Sequence, residues 1–258
     1  MYVHVNDLKM YYEVHGTGYP LILLHGGSDN GMSTWEKCIP NFSKNFQVFV
    51  MDCRGHGKTN NPKGTLSYQL MCEDTKAFIH ALKIKKPIIC GWSDGGQIAF
   101  EIGIKYPTLA KCLLVGGALI EICDEYKNGL KMFGIDDSGR INLDHVRKTM
   151  PEFVKKMIEI HSAVDDPEYW KEFLKNLAKM YMDPSGFPKK RISEIITPTL
   201  ILTGDRDQFL PVEETIKMFR LIPKAELTVV PNANHSLTLT HAEIFTMLSK
   251  DFIDRNSS

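Results

Sequence analysis

One stretch limits the folds open to this chain more than any other: Cys90-Gly91-Trp92-Ser93-Asp94-Gly95-Gly96. The apolar run from Pro87 to Ile89 precedes it and reads as a short buried strand. Gln97 to Tyr106 follows, with Ile98, Ala99, Ile102 and Ile104 on one side of a helix. Ser93 therefore stands on a sharp strand-to-helix turn. Gly91 and Gly95 carry no Cβ, so the strand and the helix can approach closely around it. Such a turn holds the serine backbone under strain and projects its hydroxyl outward. The helix N-terminus beneath it offers free N–H groups and a positive dipole end to a developing oxyanion.

The flanking sequence repeats the same alternation. Tyr2 to Val5 and Leu8 to Val14 read as a hairpin around Asn6-Asp7. Leu21 to Leu24 is continuously apolar, as expected of a strand covered on both faces, and ends in His25-Gly26-Gly27-Ser28. Trp35 to Ser43 reads as a helix interrupted by Pro40, and Gln47 to Met51 as the next buried strand. A glycine-rich loop, Asp52-Cys53-Arg54-Gly55-His56-Gly57, leads to a helical pattern over Leu66 to Ile84 with Thr65 or Ser67 as its cap. Cys112 to Val115 is another strand. Strands alternating with helices specify a parallel, doubly wound sheet, here with an antiparallel hairpin at one edge.

From about Leu119 to Lys190 the pattern changes to helices alone: Ile122 to Phe133, Leu143 to Ser162 with a break at Pro151, and Pro167 to Met182. This is the pattern of an insertion lying over the C-terminal edge of the sheet. Strands and helices resume with Pro198 to Thr203, a helix over Val212 to Leu221, a strand over Ala225 to Val230, and a helix over His241 to Phe252.

In a parallel sheet the ligand site lies beyond the carboxyl ends of the strands. Four loops at that edge carry reactive groups: His25 to Ser28, Ser93, Asp205 to Asp207, and His235. A serine hydroxyl is a poor nucleophile until a base takes its proton, and His235 titrates in the right range to serve. An aspartate on the other ring nitrogen, Asp205 or Asp207, would fix the tautomer and stabilise the imidazolium. The backbone N–H groups of Asp94 and Gly27 are placed to hold an oxyanion.

The segments His25-Gly26-Gly27, Asp52-Cys53-Arg54-Gly55-His56-Gly57, Gly91-Trp92-Ser93-Asp94-Gly95-Gly96, Gly204-Asp205-Arg206-Asp207 and Asn234-His235 together resemble the α/β-hydrolase superfamily over nearly the full chain. The Gly-Trp-Ser-Asp-Gly-Gly form is similar to carboxylesterases and to relatives of the biphenyl-degradation C–C hydrolases. The resemblance implies an α/β fold: a mostly parallel, doubly wound sheet of about eight strands with a helical cap insertion. Residues 1–118 would form the first part of the core, 119–190 the cap, and 191–258 the second part. It implies a serine hydrolase acting on small-molecule carboxylic esters, with catalytic Ser93, Asp207 and His235, no cofactor and no metal. It also implies that Asp94 holds a substrate amine in one branch of the group. Trp92, beside the nucleophile, is a further substrate-binding candidate.

Each assignment has a plainer rival. Asp94 suits the first turn of a helix without any ligand. His25, Arg54 and His56 fit a structural role in tight loops, and Trp92 fits packing. His4, His15, His80, His145, His161 and His241 have no metal-ligand spacing. The rival activities are hydrolysis of an aminoacyl ester, a lactone, or a C–C bond in a diketone-type acid, and perhydrolysis on the same triad. A C–C hydrolase would want a basic group for the substrate carboxylate, and Lys127, Lys131, Arg147 and Lys148 are the candidates in the cap. A further rival is a ligand-binding relative without catalysis. A haloalkane dehalogenase is argued against, because it wants a carboxylate where Ser93 stands.

Charge narrows the partners. Lys plus Arg and Asp plus Glu number 31 each, so no excess charge recommends a nucleic acid or an anionic membrane. No apolar run approaches the roughly 18 residues of a membrane span. The first ten residues lack the layout of a secretory signal, and six scattered cysteines without a Cys-x-x-Cys pair read as reduced thiols. These point to a cytoplasmic monomer or homodimer.

Overall fold

The computed structural model describes residues 1–163 and 166–256. Residues 164–165 of the expected cap and 257–258 of the second core part lie outside that description. Eight strands form one sheet: β1 (Tyr2–Val5), β2 (Leu8–His15), β3 (Tyr19–Leu24), β4 (Phe46–Met51), β5 (Ile88–Trp92), β6 (Leu113–Gly116), β7 (Thr199–Gly204) and β8 (Ala225–Val230). Their spatial order is β1-β2-β4-β3-β5-β6-β7-β8. β2 pairs antiparallel with β1 and β4, and every other pairing is parallel. The turn of the edge hairpin puts Asn6 at φ 52°, a left-handed conformation that asparagine tolerates.

The continuous apolar runs of the central strands have a direct cause. Successive side chains of a strand point to opposite faces. Ile22, Leu24, Ile89, Leu113, Val115 and Ile201 enter one hydrophobic core, while Leu21, Leu23, Ile88, Cys90, Leu114, Leu200 and Leu202 enter the other. Both faces are covered, so both sets are apolar.

The first core is closed by α3 (Tyr68–Ala81) and α4 (Asp94–Lys105), the second by α1 (Gly31–Trp35), α2 (Ile39–Phe42) and, near the end of the chain, α10 (Leu237–Thr240) and α11 (Ala242–Arg255). Ser67 caps α3 by accepting from the Leu70 N–H. The single helix expected over Trp35 to Ser43 is two short ones. Pro40 lies in the first turn of α2, where its missing N–H costs nothing, and it could not have continued α1. The final helix expected over His241 to Phe252 is the unbroken α11, and the short α10 before it was not expected.

Between β6 and β7 run α5 (Asp124–Met132), α6 (Leu143–Thr149), α7 (Pro151–Ile160) and α8 (Tyr169–Tyr181). Pro151 opens α7 and separates it from α6. Trp170, Phe173, Leu174 and Leu177 of α8 face inward and join the first core. The helix α9 (Val212–Leu221) lies between β7 and β8. Among the described residues no helix is long and apolar enough to cross a membrane.

Candidate active site

Three loops at the carboxyl ends of β5, β7 and β8 meet at one point. The Ser93 backbone has φ 56° and ψ −117°, in the left-handed region that a side chain occupies only under strain. The two glycines flanking the motif make that turn possible. A Cβ on Gly91 would lie 2.0 Å from the Gly95 carbonyl oxygen, and one on Gly95 would lie 2.1 Å from that of Leu24. Neither space admits a methyl group.

The Ser93 hydroxyl lies 3.0 Å from His235 Nε2. His235 Nδ1 lies 2.7 Å from Asp207 Oδ2. The other carboxylate oxygen of Asp207 accepts from the N–H groups of Phe209 at 2.9 Å and Leu210 at 3.0 Å. The Asp207 side chain is fully buried, while 19 % of that of His235 remains exposed. Asp205 is exposed and pairs with Arg206, away from the imidazole. Of the two aspartates left open by the sequence, Asp207 is therefore the one beside His235.

Trp92 reaches this cluster from the second core. Its indole N–H donates to the His235 carbonyl at 2.9 Å, and its ring packs on Phe245 and His235. It borders the cavity, but 3 % of it is exposed and its one polar atom is committed to His235. As a substrate ligand Trp92 has little to offer, and the packing role fits its surroundings.

Among the described residues the backbone N–H groups of Gly27 and Asp94 have no protein acceptor, whereas the next N–H, of Gly95, donates to the His25 carbonyl at 3.0 Å. Both sit beside Ser93: a Cβ on Gly27 would meet Asp94 Oδ2 at 2.3 Å, and one on Gly26 would meet the Ser93 Cβ at 3.5 Å. Two unpaired donors next to a serine hydroxyl could serve as an oxyanion hole.

The Asp94 carboxylate does not cap α4. Its Oδ1 accepts from the Tyr68 hydroxyl at 3.0 Å. Its Oδ2 is buried with no partner of good geometry, although the Tyr181 hydroxyl is near enough to favour the charged form. Burial outweighs both tyrosines and the His235 charge, and pushes the group up to about 7.

A cavity of about 310 Å³ opens onto Ser93. Leu130, Phe133, Phe153, Leu174, Leu177 and Phe209 give it apolar walls, and Asp94 with Tyr68, Tyr126 and Tyr181 forms one polar corner. A second corner is the ion pair of Lys156 on Asp29, 2.5 Å apart. The basic residues first considered for a substrate carboxylate do not line this cavity. Lys127 and Lys131 pair with Asp124 and Asp137, and Arg147 faces Glu168, all on outward faces of their helices. Lys156 is the lining cation among the described residues, and nothing in its sequence neighbourhood distinguishes it from Lys155.

The tight loop after β4 is structural. Arg54 binds Asp74 at 2.8 Å and Asp7 at 2.8 Å, tying the edge hairpin to α3. His56 places its two ring nitrogens 2.8 Å from the Arg54 carbonyl and 2.7 Å from the Gly27 carbonyl.

A family model described as "Alpha/beta hydrolase family" matches residues 21–246. A 2-hydroxy-6-oxo-6-(2'-aminophenyl)hexa-2,4-dienoic acid hydrolase from Metapseudomonas resinovorans is 24% identical over 275 residues, covering 99% of this chain and 91% of its own length. A serine hydrolase of Homo sapiens, BPHL, is 25% identical over 260 residues, with 97% of this chain and 85% of the relative covered. Among solved structures, a thermophilic esterase from Thermogutta terrifontis superposes with a TM-score of 0.78 at 23% identity, over 97% of this chain and 95% of that one.

Proposed function

The chain belongs to the alpha/beta hydrolase family, and on that premise we propose that it is a serine hydrolase cleaving carboxylic esters of small molecules. The observation that carries this reading is the unbroken hydrogen-bonded line from the strained Ser93 through His235 to the buried Asp207. In the proposed reaction the Ser93 Oγ attacks the ester carbonyl carbon while His235 Nε2 takes its proton. Asp207 holds Nδ1–H and stabilises the imidazolium. The N–H groups of Gly27 and Asp94 receive the oxyanion. Collapse of the tetrahedral intermediate returns the proton to the leaving alkoxide and leaves an acyl-Ser93, which water resolves by the same base. We take residues 119–190 as the cap that roofs the acyl pocket, and 1–118 with 191–258 as the catalytic core.

The small apolar cavity supports short or medium acyl groups, and the partner is a small molecule. A panel of p-nitrophenyl esters of graded chain length tests the reading, run beside Ser93→Ala and fluorophosphonate labelling. The expected result is a chain-length optimum, loss of turnover by several orders of magnitude in Ser93→Ala, and label on Ser93 alone. Turnover that survives the substitution would sink it.

One observation favours a narrower substrate. Asp94 Oδ2 is buried, unpartnered and turned toward Gly27, which suits an aminoacyl ester whose ammonium would pair with it. Asp94→Asn should then raise KM for aminoacyl esters at least tenfold and leave simple acyl esters within about twofold. Equal losses on both would remove the amine. Lactones and C–C bonded dienoic acids are further arms of the same panel.

A further inference from the structure

The hydrogen bonds of His235 leave one motion of its ring weakly restrained. Asp207 at Nδ1 and Ser93 at Nε2 fix a line through the imidazole. A tilt about that line turns the in-plane lone pair of Nε2 away from the Ser93 hydroxyl, so the ring faces have to be held as well. Packing does this. The Trp92 ring centroid stands 5.9 Å from that of His235. A Cβ on Gly117, just after β6, would lie 3.0 Å from His235 Cε1, so the backbone there is in close contact. The ring of Phe209 stands 4.9 Å from the imidazole at an interplanar angle of 67°, an edge-to-face pair.

Phe209 lies in the loop after β7, where its N–H donates to Asp207 at 2.9 Å. Its backbone thus serves the acid and its ring faces the base. The same ring touches α5. A Cβ on Gly129 would lie 2.4 Å and 2.6 Å from two carbons of the Phe209 ring. Gly129 is buried inside α5, where glycine is a poor helix former. The close approach accounts for it, since no larger residue fits without moving Phe209. Phe133, at the end of α5, stands 6.0 Å from Phe209, and Phe153 of α7 stands 5.8 Å from Phe133. Phe153, Phe133 and Phe209 form a continuous aromatic wall of the cavity that ends on His235. An apolar wall alone needs neither an aromatic ring at 209 nor a glycine at 129.

We propose that Phe209 is a positioning residue for His235, holding the imidazole plane on the line to Ser93, and that Gly129 of α5 sets where the Phe209 ring stands. The proposal deepens the reading of His235 as general base and rests on it. The segment between β6 and β7 then bears on proton transfer as well as on the shape of the pocket. A misplacement of about 1 Å can cost on the order of 100-fold in rate, so a small shift of the ring is enough to read.

A double-mutant cycle tests the coupling. Gly129→Ala favours the helix and pushes a methyl against the Phe209 ring. It should lower kcat for p-nitrophenyl acetate about 5- to 50-fold, with KM within about threefold and Tm not reduced. Phe209→Leu keeps the N–H for Asp207 and most of the apolar bulk but removes the flat ring, and should lower kcat about tenfold. In the double variant the methyl meets no ring, so Gly129→Ala should cost less than about twofold further. Full activity in either single variant would overturn the proposal, as would a Gly129→Ala loss that repeats unchanged in the Phe209→Leu background. If Gly129→Ala does not fold, Phe209→Leu decides: lost kcat at an unchanged Tm supports the proposal, and a loss matched by a fall in Tm reduces Phe209 to packing and overturns it. The ring-proton resonances of His235, read by NMR, report its geometry without reference to turnover. They should shift in Gly129→Ala but not when the same methyl is added to Phe209→Leu, and unchanged resonances in Gly129→Ala would overturn the proposal. Should the parent protein hydrolyse no ester and take no fluorophosphonate label, the serine-hydrolase reading fails by itself, and the resonances still decide whether Gly129 reaches His235 through Phe209.

Discussion

Asp94 meets two opposed demands. Its N–H should receive negative charge, while its own carboxylate, a few atoms away, would repel that charge. Burial relieves the conflict by raising the carboxyl to about 7, so the acid form is populated near neutrality. The sign for stability follows. The folded state favours the protonated form from the ordinary value of 3.8 up to about 7. The cost of ionising in place is thus absent at low pH and grows as pH rises through that window. Asp94→Asn keeps an acceptor for Tyr68 and removes the charge. Its Tm relative to the parent should climb between pH 4 and pH 7 and level off above, at about 1.4 kcal/mol per unit of pKa displaced. A Tm difference that is constant across that range would contradict the raised value. At Arg54 the prediction is simpler. Asp74 is buried against it, so Arg54→Ala strands a carboxylate and should cost about 3–5 kcal/mol by urea unfolding.

Elements decide what a sequence reader can see. Ser93, Asp207 and His235 each follow a strand within a few residues, and each is announced by local punctuation: glycines, a turn, the end of an apolar run. Strand and helix positions in the core were legible for the same reason, and Pro40 and Pro151 marked the breaks. Tyr68, Tyr126, Tyr181 and Lys156 were not legible as site residues. They stand on helices whose apolar periodicity is ordinary, and only the packing of α3, α5, α7 and α8 around one cavity brings them near Ser93. Trp92, beside Ser93 in sequence, turns its ring into the second core and commits its N–H to the His235 carbonyl, surroundings that the sequence alone does not show. The strand–helix junction itself is testable. Gly95→Ala would drive a methyl into the Leu24 carbonyl at 2.1 Å, backbone against backbone with nothing flexible to yield. The expected loss is about 3 kcal/mol or more in urea unfolding, with Ser93 displaced and activity gone. A normally stable, active Gly95→Ala protein would refute the close approach.

At the scale of the molecule, acid should be the weak side. Burial lowers His25, His56 to about 3 and His161 to about 2, so all three stay neutral in the fold. Below their ordinary value near 6.5 the unfolded chain takes protons that the folded one refuses, and stability falls. The raised carboxyls of Asp52, Asp94 and Glu101 act in the opposite direction. The net loss should be roughly 2 kcal/mol per pH unit between pH 6 and 5, read from urea midpoints, and a flat profile there would show the histidines to be protonated in place. The order of the strands has one more consequence. On the proposed reading the nucleophile and both oxyanion donors are encoded before residue 95, but the acid and the base arrive only with the loops after β7 and β8, the last two strands laid at one edge of the sheet. A nascent chain emerging from the ribosome thus carries a serine with nothing to activate it. Its reactivity switches on when the final strand docks, so the attachment of an activity probe to Ser93 would time the completion of the fold.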